Sequence, residues 1–246
     1  MSKNFEVLLR AEQEAELFAP VAISHETPES GRGPVWIDPA VHEEEMKLVQ
    51  RVFLLPGCGA PHMVVFCAVD HADGAAGICA RAAENLASQT TLRVCVIDAN
   101  FHSPFLHHYF AVHNRRGFSN AVLEAGPIGE FACRLPESNL SLLPAGSRCG
   151  DVPAIWQSER LRTRMAELRE EFPYVLFYGP PAILQIDSTL LGQLADGAIV
   201  IVESGITRRE TARKVTKSMA AAKVNILGAV MNNRTFPIPE SLYRKL

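Results

Sequence analysis

From Met63 to Met231 the chain alternates between short apolar runs and longer amphipathic stretches. The runs fall near Met63–Val69, Arg93–Ile97, Asn139–Leu143, Tyr174–Phe177, Ala198–Val202 and Asn225–Met231, each the length of a strand. Several show no alternation of apolar and polar residues, which is expected when helices cover both faces of a sheet. Between them, helical periodicity predicts helices near Ala76–Ser88, Trp156–Glu171 and Arg208–Ala222, with shorter ones around Phe105–Phe110 and Ser119–Glu124. Strands and helices in this order specify an α/β fold with a doubly wound, mainly parallel sheet. Ligands of such folds lie beyond the carboxyl ends of the strands.

The first forty residues read differently. Phe5 to Phe18 fits an acidic amphipathic helix, and Pro20 to Pro39 is rich in Pro, Gly, Ser and charge, as in a linker or draped arm. The expected division is an arm over residues 1–40 and a single α/β domain over residues 41–246. The domain opens with a helix at Val41 to Leu55, with Met46, Val49, Val52 and Phe53 on one face and a Glu43–Lys47 pair on the other.

Composition adds limits. In 246 residues, 48% are hydrophobic and 21% charged, enough for a well-filled core. A formal charge of -3 gives no electrostatic reason to expect nucleic acid or an anionic membrane as partner. No apolar run approaches the roughly 20 residues that span a bilayer, and the start Met-Ser-Lys-Asn-Phe-Glu has no secretory pattern. A cytoplasmic protein without direct membrane insertion is expected. Of six cysteines, Cys67, Cys79 and Cys95 sit in apolar patterns and read as small hydrophobes, while Cys58, Cys133 and Cys149 fall in turn-like segments. No C-x-x-C occurs, which argues against a zinc site or redox pair.

The chemistry concentrates after the first apolar run. Asp70-His-Ala-Asp-Gly-Ala-Ala-Gly-Ile78 stands where a nucleotide-binding α/β protein places a phosphate loop ending Gly-Lys-Ser/Thr. Ala75 holds the lysine position, and Ala76 and Gly77 hold the hydroxyl positions. With Gly74 and Gly77 at a helix start, the turn either holds an anion weakly through backbone N–H groups or is a plain strand-to-helix connection.

The order of local signatures resembles the bacterial tyrosine kinases, cytoplasmic autokinases of exopolysaccharide export related to the Min- and Par-type ATPases. Val96-Ile-Asp-Ala-Asn-Phe-His-Ser-Pro104 is similar to that family's Ile-Asp-Ala-Asp-x-Arg-x-Pro. Asn139-Leu-Ser-Leu-Leu-Pro-Ala-Gly146 and Phe172-Pro-Tyr-Val-Leu-Phe-Tyr-Gly-Pro-Pro181 resemble Asn-Leu-x-Val-Leu-Pro-x-Gly and Phe-Asp-Tyr-Val-Ile-Ile-Asp-x-Pro-Pro. Leu106-His-His-Tyr-Phe110, Asn114 to Leu123, Ala195-Asp-Gly197, Thr207-Arg-Arg-Glu210 and Leu227 to Asn232 complete a collinear series from about Val41 to Asn233.

The resemblance implies a P-loop-like fold and a nucleotide site at Gly74, Ala75, Ala76, Gly77, Asp98 and Asn232, the last at the adenine-reading position. The departures fall on the chemistry. Besides the missing lysine and hydroxyl, Tyr178 stands at the Walker B aspartate and Asn100 at the second aspartate of Asp-Ala-Asp. A neutral phenol is a poor ligand for magnesium. At about 1.5–3 kcal/mol per charge-assisted hydrogen bond, these losses together remove several kcal/mol of Mg-ATP binding. No cofactor is therefore expected, with ATP and magnesium held weakly at most. The tyrosine-rich tail of the family is matched only by Tyr243.

The expectation is a pseudo-enzyme with a regulatory or scaffolding role in exopolysaccharide synthesis and export. Its expected partner is a polysaccharide-export membrane protein or an active kinase homologue, and homo-oligomers fit the resemblance too. The alternatives are an active autokinase with atypical residues such as Arg81 and His71, and a Min- or Par-like positioning ATPase. Asp98 reads best as a cap for neighbouring amides and Arg81 as a salt-bridged or solvated helix residue. His102, His107 and His108 cluster without a matching carboxylate or cysteine spacing, which does not favour a metal centre. Glu44 and Lys47 fit the family's Glu-x-x-Arg-x-x-Arg oligomerisation helix while Gln50 does not, so that helix packs either on its own domain or at an interface.

Overall fold

The computed structural model describes residues 39–55, 59–70, 74–136, 138–148, 150 and 152–233. The expected Phe5–Phe18 helix and the linker up to residue 38 lie outside them, as do Cys58 and Cys149. Helix α1 (Pro39–Val49) runs on into a π-helical turn, Gln50–Leu54. Then come β1 (Met63–Ala68), α2 (Ala75–Gln89), β2 (Val94–Asp98), α3 (Leu106–Tyr109), α4 (Phe118–Leu123), β3 (Cys133–Arg134) and β4 (Leu140–Leu143). The second half is α5 (Val152–Gln157), α6 (Arg160–Glu171), β5 (Tyr174–Tyr178), α7 (Asp187–Leu194), β6 (Gly197–Glu203), α8 (Arg209–Ala221) and β7 (Ile226–Asn232).

The strands form one sheet in the order β3-β4-β2-β5-β1-β6-β7, parallel throughout except where β3 meets β4. All six residues of β1 and all five of β2 are buried, because helices cover both faces. One face packs Val49, Phe53, Ile78, Cys79, Leu86 and Leu106 against Val64, Phe66 and Val96, so α1, α2 and α3 lie on that side. The other packs Phe118, Ile155, Met165, Leu191, Val215 and Met219 against Val65, Ile97 and Phe177, which places α4 to α8 there. Cys67, Cys79 and Cys95 are buried in these cores, and burial pushes the Cys67 thiol up to about 12.

All six expected strands form. Three features depart from expectation. The single helix at Trp156–Glu171 is two, because Ser158 accepts from Arg160 N through its hydroxyl (3.3 Å) and from Leu161 N through its carbonyl (3.1 Å), starting a new helix. Helix α7 was not expected, since its eight residues include Gly192 and few apolar positions. Strand β3 is too short to leave a periodic signal, and it places the exposed Cys133 in a strand rather than a turn.

Candidate functional site

The carboxyl ends of β2, β5, β1, β6 and β7 lie along one edge of the sheet, and Gly74, Ala75, Ala76, Gly77, Asp98 and Asn232 lie there. Gly74 precedes α2 with a φ of 77°, a left-handed conformation that a side chain would strain. Its carbonyl accepts from Ile78 N at 3.0 Å. Ala75 and Ala76 follow, both buried, and carry only methyl groups. His71, at the start of the same loop, lies outside the described residues.

The bare backbone at Gly77 lets the Arg81 guanidinium lie across the first turn, since a Cβ there would sit 2.9 Å from Nη1. From there its Nε donates to Glu45 Oε1 of α1 at 2.6 Å. Burial holds the Glu45 carboxyl above its usual range despite that pair, and its Oε2 has no partner among the described residues. Arg81 is thus salt-bridged, the option the sequence favoured over a stand-in for the missing lysine.

Asp98 is fully buried at the end of β2 and acts as a cap. Its Oδ2 accepts from Phe105 N (2.8 Å) and Leu106 N (2.9 Å) at the start of α3, and its Oδ1 accepts from Asn100 N (3.2 Å). Burial raises the carboxyl to about 6, against the pull of these three N–H groups. On the neighbouring strand, in register with Asp98, lies Tyr178. Its buried hydroxyl accepts from Asn100 Nδ2 at 3.1 Å, while Asn100 Oδ1 accepts from Ser103 N at 3.1 Å. The two positions where the related motifs carry aspartates therefore bond to each other as a neutral amide–phenol pair.

Three arrangements were not legible beforehand. His102 Nε2 lies 2.9 Å from the buried Asp187 Oδ2 at the start of α7, a pairing across 85 residues that sequence spacing does not reveal. Asp-Ser-Thr ahead of Leu190 and Leu191 was the available signal, a helix-start pattern. The His107 and His108 rings meet at a tilt of 39° with centroids 3.9 Å apart, and burial followed by the His108 charge lowers His107. Among the described residues no group of three His, Cys, Asp or Glu side chains is placed to hold a metal ion.

The second arrangement surrounds Asn232. Glu203, buried at the end of β6, accepts from Asn232 Nδ2 (2.9 Å) and Asn233 Nδ2 (2.5 Å). Third, Thr207 Oγ1 donates to Asp70 Oδ1 at 2.6 Å and accepts from Glu203 N at 3.1 Å, tying the start of the loop after β1 to the end of β6. The polar groups of this edge are thus joined mainly to one another.

A parallel sheet with helices on both faces and a loop-to-helix turn after its central β1 defines the class as P-loop ATPase-like. The comparisons with known proteins narrow it. Over 155 residues the chain is 28% identical to the tyrosine-protein kinase YwqD of Bacillus subtilis, across 62% of this chain and 65% of that relative. Over 159 residues it is 24% identical to the tyrosine-protein kinase wzc of Salmonella typhimurium, across 63% of this chain and 22% of that relative. The matches span less than two thirds of these relatives' lengths. Among solved structures, the chimerical protein CapA2B2 superposes with a TM-score of 0.74 at 18% identity, covering 81% of this chain and 87% of that one. A plasmid partition protein from Borrelia burgdorferi superposes at 0.55 and 14% identity, covering 76% and 86%. No protein-family model matches. The homologues of this chain are named as bacterial tyrosine-protein kinases, and its fold is one also seen in a plasmid partition protein.

Proposed function

We propose that this protein is a non-catalytic relative of the bacterial tyrosine kinases, with a regulatory or scaffolding role in exopolysaccharide synthesis and export. The observation that carries the reading is the amide–phenol bond between Asn100 and Tyr178 beside a capped Asp98. Phosphoryl transfer depends on positioning and on electrostatic stabilisation by lysine and magnesium. The residues present do not fit Mg-ATP. Ala75 and Ala76 offer neither cation nor hydroxyl, and Tyr178 is neutral. Asp98 already accepts three backbone N–H groups. Arg81, the cation an active kinase would recruit, is committed to Glu45.

The partner this reading implies is a polysaccharide-export membrane protein or an active kinase copy. The pathway assignment draws on the kinases to which the chain is similar. The higher superposition on CapA2B2 than on the partition protein favours it over a positioning ATPase. Incubating the purified chain with Mg-ATP and blotting for phosphotyrosine tests the absence of kinase activity, and no signal above a no-ATP control is expected. Affinity capture from the native host tests the pathway. Recovery of an export-complex membrane protein is expected, and repeated recovery without any export component would count against the assignment.

A further inference from the structure

We propose that the outer side of α8, with the loop tips beside it, is a docking surface for an anionic lipid membrane. The inference goes beyond the function proposed above and does not depend on it.

Helix α8 turns Val215 and Met219 into the core. Opposite them, Arg209, Arg213 and Lys217 recur every fourth residue along one exposed ridge, with Lys214 beside it and Arg208 at the helix start. Arg208, Arg213, Lys214 and Lys217 form no ion pair among the described residues. Between Arg208 and Lys223 lie six basic residues and one carboxylate, Glu210. The whole-chain charge of -3 conceals this local excess.

Two placement rules are broken here. Like charges four residues apart destabilise a helix. Cations at the first turn oppose the helix dipole, and the last turn, where they would help, has none. Local choices that work against the fold point to a use outside it.

The neighbouring loop tips are aliphatic. Ile206, just before α8, is 56% exposed, and Leu184 and Ile186, just before α7, are 68% and 66% exposed. Both helices lie on the same face of the sheet. Their loops leave the ends of β6 and β5, which flank β1 and so stand two strand spacings, about 10 Å, apart. Cations beside protruding aliphatic tips suit a lipid surface, where the charges meet headgroups and the tips enter the interface. Phosphate contacts on nucleic acid use the cations and leave the aliphatic tips without a role. No described helix is long and apolar enough to cross a membrane, so adsorption on this surface is reversible and salt-sensitive.

Vesicle flotation of the full chain tests the proposal. With phosphatidylglycerol–phosphatidylcholine vesicles in low salt, the bound fraction should exceed that on phosphatidylcholine alone by about tenfold, and about 0.5 M salt should release it. R213E/K214E/K217E should fall to the neutral-vesicle level with an unchanged circular dichroism melt. R213Q/K217Q, which keeps side-chain length, should lose binding several-fold and serves if the triple variant fails to fold. L184S/I206S should keep the preference for anionic vesicles and release at lower salt. Equal binding to both vesicle types, or full binding by the folded charge variants, would overturn the proposal. So would release of the vesicles by duplex DNA at equal phosphate concentration, which would assign the surface to nucleic acid.

Discussion

Asp98 concentrates the tension of the candidate site in one side chain. Three N–H groups favour its ionised form and full burial opposes it, and burial prevails, raising the carboxyl to about 6. The shift from 3.8 amounts to about 3 kcal/mol against the ionised form. The sign follows from linkage: the folded chain takes up this proton near pH 6 and the unfolded chain only near 3.8. Stability from this group therefore grows as pH falls from about 6 toward 4 and is absent at higher pH. Comparing urea denaturation of wild type and D98N between pH 7 and 4 isolates the effect. D98N should be less stable by about 1–3 kcal/mol, because an amide cannot accept from Phe105, Leu106 and Asn100 together, and should lack the gain on acidification. Tyr178→Phe removes the acceptor for Asn100 Nδ2, so its melting experiment should report about 1 kcal/mol of destabilisation with the acid-side gain of Asp98 retained.

At the scale of elements, α1 and its π-helical turn are attached to α2 by the half-buried Arg81–Glu45 ion pair, by Gln50 Nε2 donating to Gln89 Oε1 at 2.9 Å, and by apolar contacts. Glu43 and Glu44 pair with Lys47 on the outside, at 2.8 and 2.9 Å, so packing on its own domain accounts for much of this helix. Arg81→Ala would strand the Glu45 carboxylate in the interior and should cost about 3 kcal/mol in chemical denaturation, whereas R81M/E45Q should recover much of that loss. The strands and α2 were legible because burial on two faces leaves continuous apolar runs and burial on one face leaves a 3.6 period. Helix α7 was not, since Gly192 and its short span weaken the period, and the break at Ser158 was hidden by apolar residues on both sides. The site was legible only position by position. Asp98, Tyr178 and Ala75 stand where motif spacing puts them, but His102 with Asp187, and Glu203 with Asn232, join residues that only the sheet order brings together.

At the scale of the molecule, the chain keeps the α/β framework of its kinase relatives, and at the carboxyl edge of its sheet the described polar groups contact one another. Asn100 and Tyr178 bond each other, Glu203 takes both asparagines, and Thr207 takes Asp70. Under the proposed reading, this edge organises loops for a partner without handling a nucleotide, and α8 carries a separate, positively charged surface. Calorimetric titration of the purified chain with Mg-ATP, with and without EDTA, addresses this most directly. The account predicts no saturable binding below millimolar nucleotide and no difference on removing magnesium. A micromolar, magnesium-dependent isotherm would contradict it.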